Sequence, residues 1–204
     1  MGQVIALDNL LLARQVWRGR SNALPLSRQS TGHASLDEAL PLGGWPERSL
    51  TEILIPADGV GELDLLMPTL ERFTQAGKAV ALIAPPYIPY APAWQVRGID
   101  LRHLHIVEAE PRQAVWAFEQ ALRSGACAAV VAWPQKVNHH ALRRLQVAAD
   151  TGQTLGFAVR DLRYANEASP AALRLEIGVD RQVFVRKCRG GPAPTRAFPI
   201  AVRH

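Results

Sequence analysis

The stretch SLTEILIPADGVGELDLLMP, residues 49–68, holds the residue types and spacing best suited to chemistry. Leu50, Ile53, Leu54 and Ile55 read as a buried strand, the segment from Pro56 to Gly59 as a turn, and Glu62 or Asp64 as the opening of a helix. Strand, glycine-bearing loop and helix form the frame of a phosphate-binding loop, in which backbone N–H groups and a helix N-terminus face an anion. Phosphoryl transfer there also needs a lysine for the β/γ-phosphates and a Ser/Thr hydroxyl for Mg²⁺. After Gly61 the chain has Glu62 and Leu63 instead. Asp58, Glu62 and Asp64 put negative charge where a triphosphate needs positive, and like charges 5 Å apart cost roughly 1–3 kcal/mol at an effective dielectric of about 20–60. Pro56, Asp58, Gly59, Gly61 and Glu62 are therefore expected to form a degenerate loop with no hydrolytic activity and no cofactor. His139-His140 has no Cys, Asp or third His at ligand spacing, so no metal site is expected.

The elements around this stretch alternate. AVALIAP (Ala79–Pro85), HLHIVEA (His103–Ala109), CAAVVAW (Cys127–Trp133) and TLGFAVRDL are apolar strands, separated by helical patterns over Asp64–Gln75, Glu110–Ser124 and Lys136–Thr151. LRLEIGV and QVFVRKC follow as an antiparallel pair turning at Asp180. Continuous apolar strands alternating with helices specify an α/β fold, a mainly parallel sheet with helices on both faces. A short helix is expected after Ser35 as N-cap, ended by Gly43-Gly44. Pro68 is expected in the first turns of its helix, where its missing N–H matters least.

Two segments stand apart. Residues 3–17 place Val4, Leu7, Leu10, Leu11 and Trp17 on one helical face, followed by an extended linker to residue 29. Such an arm (residues 1–29) folds back on its own domain (residues 30–204) or docks on another chain. Between Pro85 and Trp94, four prolines alternate with Tyr87, Tyr90 and Trp94, which is either a rigid crossover packed on the sheet or a surface for a protein partner.

The 204 residues suffice for one domain with its own core. No apolar run reaches the roughly 18–20 residues of a membrane span. The apolar N-terminal segment is interrupted by Asp8 and Asn9 and followed by its basic residues, so export is not expected. Cys127 and Cys188 are too few for a disulfide framework, which points to a reducing cytoplasm. The net charge is +5, with six Lys/Arg and no acid from Arg181 onward. That distribution suits nucleic acid or an acidic protein surface, or serves solubility.

STGHASLDEALPLGGWPERSLTEI (residues 30–53) resembles the start of the RecA/RadA recombinase core, with its pattern S-T-G-x-x-x-L-D-x-x-L-x-x-G-G-x-P-x-G-x-x-x-E-I. Weaker similarity runs on through ALRSGACAAVV and TLGFAVRDLR to VRKCRGGP. Within that superfamily the chain looks most like the ImuA family, on WRGR, PADGVGEL and APPYIPYAPAW, and it also resembles SulA, a shorter relative. The resemblance implies a RecA-like core that has lost its catalytic positions. The loop lysine and hydroxyl fall on Gly61-Glu62-Leu63, the water-activating acid on Pro86, the Mg²⁺-binding aspartate on Ala132 and the polar sensor on Arg160.

An ImuA-like protein would be a non-catalytic accessory of SOS-induced translesion DNA synthesis. Its partners would be RecA, an ImuB-type polymerase-like protein and the associated error-prone polymerase. The partner-binding candidates are Leu7, Leu10, Leu11, Trp17, Tyr87, Tyr90 and Trp94, with the arm making filament contacts or a homo-oligomer. Single-stranded DNA would meet Arg143, Arg144, Arg160 and Arg163 in the loops, near Lys136, His139 and His140, and Arg186, Lys187 and Arg189 on a nearby strand; alternatively Arg143 and Arg144 are a solvated helix face. A SulA-like protein would instead inhibit cell division by binding the tubulin-like GTPase FtsZ through its sheet edge.

Overall fold

The computed structural model describes residues 25–200. Its α-helices are α1 (Ala34–Ala39), α2 (Glu62–Gln75), α3 (Ala91–Val96), α4 (Pro111–Ser124) and α5 (His139–Thr151). Its strands are β1 (Leu50–Ile55), β2 (Val80–Ile83), β3 (Leu104–Val107), β4 (Ala129–Ala132), β5 (Leu155–Asp161), β6 (Leu173–Ile177), β7 (Gln182–Cys188) and β8 (Phe198–Pro199). They form one sheet in the order β3-β2-β4-β5-β1-β6-β7-β8. β3 to β6 in that order run parallel; β7 and β8 are antiparallel to their neighbours. This is an α/β fold with a mixed sheet flanked by helices.

The apolar strands divide their side chains between two cores, as a period of two requires. Ile53, Ile55, Leu82, Val131, Phe157 and Val159 pack on one face with Leu65, Leu66, Leu70 and Phe73 of α2. Leu50, Ala81, Ile83, Val130, Ala132 and Ala158 pack on the other with Phe118 and Leu122 of α4 and Leu142 and Leu145 of α5. The central strands β1, β2 and β4 are buried at every position.

Local details differ from expectation for identifiable reasons. Ser35 lies inside α1; the carboxylate of Asp37 instead reaches back to accept from the Ser30 hydroxyl and from the Thr31 N–H at 2.9 Å. Pro68 is the seventh residue of α2, beyond the first turn. It packs closely on Gly32, where an added Cβ would lie 2.3 Å from that of Pro68, and His33 Nε2 meets the nearby Leu65 carbonyl at 3.1 Å. Residues 27–29 are not a free linker. Ser27 N–H donates to Leu42 O at 2.7 Å and Gln29 O accepts from Trp45 N–H at 2.7 Å.

A polar group also sits inside the sheet. Glu52, on the α4/α5 face of β1, accepts from Arg160 Nη1 of β5 and, at 2.8 Å, from Arg174 Nε of β6. All three residues are buried. Arg160 Nη2 also donates to Val137 O at 2.8 Å, and Arg174 ties down the carbonyls of Tyr164, Ala165 and Glu167 at 3.0 Å each. Removing one member of a buried, hydrogen-bonded ion group strands the others at a cost of about 3–5 kcal/mol. Glu52→Gln is expected to lose about that much in urea unfolding at neutral pH. The triple replacement Glu52→Met, Arg160→Leu, Arg174→Met should lose much less.

Candidate functional site

The loop between β1 and α2 keeps the geometry of an anion cradle. Gly61 is the N-cap of α2 with φ 126°, a conformation open to glycine and closed to side chains with a Cβ. The chain fills the cradle itself. Gly59 N–H donates to Glu62 Oε1 at 2.9 Å and Gly61 N–H to Glu62 Oε2 at 3.2 Å. Glu62 is only 2% exposed, so its carboxylate sits where the loop's donors would otherwise meet a phosphate oxygen.

The second acid of the loop is also spoken for. Asp64 accepts from Arg97 and from Arg181, the latter in the β6–β7 turn. Burial pushes the Asp64 carboxyl up, but the hydrogen bonds and charges of Arg181 and Arg97 outweigh it and hold it below the ordinary carboxylate value. Two of the three acids expected to repel a triphosphate are thus paired within the chain; exposed Asp58 has no polar side-chain partner among the described residues. Pro86 and Ala132 are the positions at which the recombinase resemblance implies a lost acid and a lost metal ligand. Ala132 ends buried β4, and Pro86 borders the cleft beyond it.

The cationic residues do not form one tract. Arg160 is 3% exposed and locked to Glu52, which removes it as a DNA contact. Arg144 crosses from α5 to Glu119 of α4 at 3.0 Å, leaving Arg143 exposed beside it. Arg163 pairs with Asp161 at 3.5 Å and stacks over Tyr164. Arg186 pairs with Glu176 across the β6–β7 ribbon, Lys187 Nζ donates to Ser169 O at 2.7 Å, and Arg189 donates to Ser49 Oγ at 3.2 Å. Burial pushes both Cys127 and Cys188 thiols up, leaving little reactive thiolate.

The aromatic segment splits. Trp94 is 6% exposed and anchors α3 in the core, so it is not a partner contact. Tyr87 and Tyr90 stand out at 74% and 72% exposure, with Ile88 between them. They precede β3, which pairs with β2 on one side only and leaves Ile106 and Val107 partly exposed. A groove of about 240 Å³ bordered by Ile88, Ile106, Ala109 and Pro111 runs along this edge. An open strand edge with apolar neighbours can accept an added strand or a protein surface. Leu7, Leu10, Leu11 and Trp17, the remaining expected contacts, lie outside the described residues.

Comparison with known proteins decides between the resemblances. The family model described as cell division inhibitor SulA matches residues 50–156, about half of the chain. The chain belongs to the SulA family. Among solved structures, SulA from Pseudomonas aeruginosa is similar, at 26% identity over 54% of this chain and 96% of that one, with a TM-score of 0.46. The expectation of an ImuA-type mutasome protein is overturned by the family match, and with it RecA, the ImuB-type protein, the error-prone polymerase and single-stranded DNA as expected partners. Among the described residues, no helix is long and apolar enough to cross a membrane.

The Asp64 network carries a pH signature. Its folded-state pKa is lowered, so its contribution is fully present above the unfolded carboxylate value near 4 and is lost as pH falls through the folded value. The stability difference between the native chain and Asp64→Asn is expected to be about 1–3 kcal/mol at pH 7 and to shrink in acid below pH ~4. Urea unfolding of both proteins across that range reads it directly.

Proposed function

We propose that this chain inhibits cell division by binding FtsZ, the tubulin-like division GTPase, through the β3 edge of its sheet, and that it does so without catalysis. The match of residues 50–156 to the division-inhibitor family carries this reading. The open β3 edge, with Tyr87, Ile88, Tyr90 and Ile106 beside it, supplies a surface of the required kind. We further read the sheet as a RecA-like core whose ATPase function is gone. Supporting this are the residues 30–53 pattern, the strand–loop–helix at the cradle, and the Glu62 carboxylate seated on the loop's N–H groups. A triphosphate needs cationic donors at that point, and the neighbouring Arg97 and Arg181 are instead bound to Asp64.

Expression of the chain in a dividing bacterium should produce filaments in undamaged cells. The purified protein should reduce sedimentable FtsZ polymer in the presence of GTP. Ile106→Glu and the Tyr87→Ser, Tyr90→Ser pair should weaken that effect roughly tenfold, the size of a modest hot-spot loss, with unfolding midpoints unchanged. FtsZ polymer that stays constant at saturating protein would overturn the reading. For the absence of catalysis, phosphate release from Mg-ATP should equal the protein-free blank with and without single-stranded DNA; saturable turnover would refute it.

A further inference from the structure

We propose that the cleft at the carboxyl ends of β1, β4 and β5 is a binding site for a small carboxylate-bearing ligand. The cleft has a volume of about 360 Å³ and is bordered by Asp58, Trp133, Lys136, Arg160, Arg163 and Tyr164. That volume suits a small molecule, and ligands of open α/β sheets settle at this end of the strands.

Three observations give the ligand its charge. First, two buried guanidiniums, those of Arg160 and Arg174, share the single buried carboxylate of Glu52. The next acid, Glu167, is 3.9 Å from Arg160 and more than half exposed, so the interior keeps an excess of positive charge beside the cleft. Second, Trp133 Nε1–H and Arg160 Nε–H are sealed from solvent and have no acceptor. Leaving such a donor buried and unmet is unfavourable, and a carboxylate oxygen seated beside Trp133 relieves it there while Arg160 keeps its bonds to Glu52 and Val137 O. Third, Lys136 stands at the mouth in a left-handed conformation, φ 50°, with no hydrogen-bond or ion-pair partner among the described residues. Of the two rim acids, Asp161 is committed to Arg163, accepting its backbone N–H at 2.8 Å. Asp58 is uncommitted and opposes an incoming anion, which gives the proposal a test of sign. Trp133 offers a flat wall for the rest of the ligand, while Tyr164 is taken up by the guanidiniums of Arg160 and Arg163, so a planar carboxylate is the favoured class.

The probe is sodium benzoate, with neutral benzamide and sodium chloride as controls, followed by the ¹H–¹⁵N resonance of the Trp133 indole, assigned through Trp133→Phe. Benzoate should shift that resonance saturably, while benzamide and chloride should not. Lys136→Gln should weaken benzoate roughly three- to fivefold and Asp58→Asn should tighten it by a similar factor, as single exposed charges do. Neither residue holds the fold together, so both variants should keep the native unfolding midpoint. Saturation by benzamide with equal affinity, no saturation below about 50 mM (weaker than the millimolar range of a specific small ligand), or affinities indifferent to both substitutions would overturn the proposal. The carboxylate is either a free molecule or an acidic side chain of a protein partner, and a second arm separates these. If saturating benzoate and Lys136→Gln both weaken FtsZ binding, the site takes the partner's side chain; if FtsZ binding is unaffected, it takes a free ligand. The benzoate titration needs no FtsZ, so it stands or falls separately from the division-inhibitor reading.

Discussion

Glu52 is the point on which the arrangement of this sheet depends. A carboxylate in the middle of the central strand is tolerable only if cations meet it from both neighbours, and Arg160 on β5 and Arg174 on β6 do so. A one-residue slip of β1 against either strand would turn Glu52 into the α2-side core of Leu65, Leu70 and Phe157, with no partner. The ion group therefore fixes register as well as charge. It also reaches beyond the strands: through Val137 O it holds the approach to α5, and through the carbonyls of residues 164–167 it holds the crossover into β6. The crossovers that border the cleft are positioned by one buried acid.

Much of the fold was legible because the strands are short apolar runs and the helices have strong one-face periodicity. Every strand expected from β1 to β7 is present, and α4 ends at Ser124 as its helical pattern indicated, with Gly125 left-handed behind it. What the sequence hid were interactions between distant residues. Arg160 looks like a surface cation in the run VRDLR, and nothing local reveals Glu52, 108 positions away, as its partner. Trp94 shares a loop with Tyr87 and Tyr90, yet a single turn of α3 sends it inward. Glu62 looked like a charge that spoils an anion site, when its carboxylate is the anion in that site. The two-residue strand β8 is too short to leave any periodic trace.

The SulA resemblance ranked second to ImuA for a related reason. The residues of the 30–53 pattern are mostly structural in this chain: Gly32 abuts Pro68, Leu36 and Leu40 are core, Asp37 ties back the turn before α1, and Glu52 anchors the sheet. At Arg48, where the pattern has glycine, the backbone keeps the left-handed conformation, φ 53°. Such residues specify a scaffold and say little about which member of a superfamily has it. The matched family region begins at residue 50, where most of that pattern has already passed. Two stretches that suggested ImuA also have local explanations, since PADGVGEL is the self-filled cradle and APPYIPYAPAW the approach to an open edge.

A loop built to hold an anion cannot simply be emptied. Two of its N–H groups, those of Gly59 and Gly61, face the positive end of a 14-residue helix, and leaving the buried Gly61 N–H without an acceptor is unfavourable. Glu62 resolves this from within the helix's own first turn, and Asp64 in turn pairs with Arg97 and Arg181. With both signs of charge paired internally, the loop's donors and the arginines beside it are already occupied. The unmet demands lie elsewhere: an excess of buried positive charge beside the cleft, and an unpaired apolar strand edge at β3. Among the described residues, neither the cleft nor the β3 edge is filled from within the chain as the cradle is.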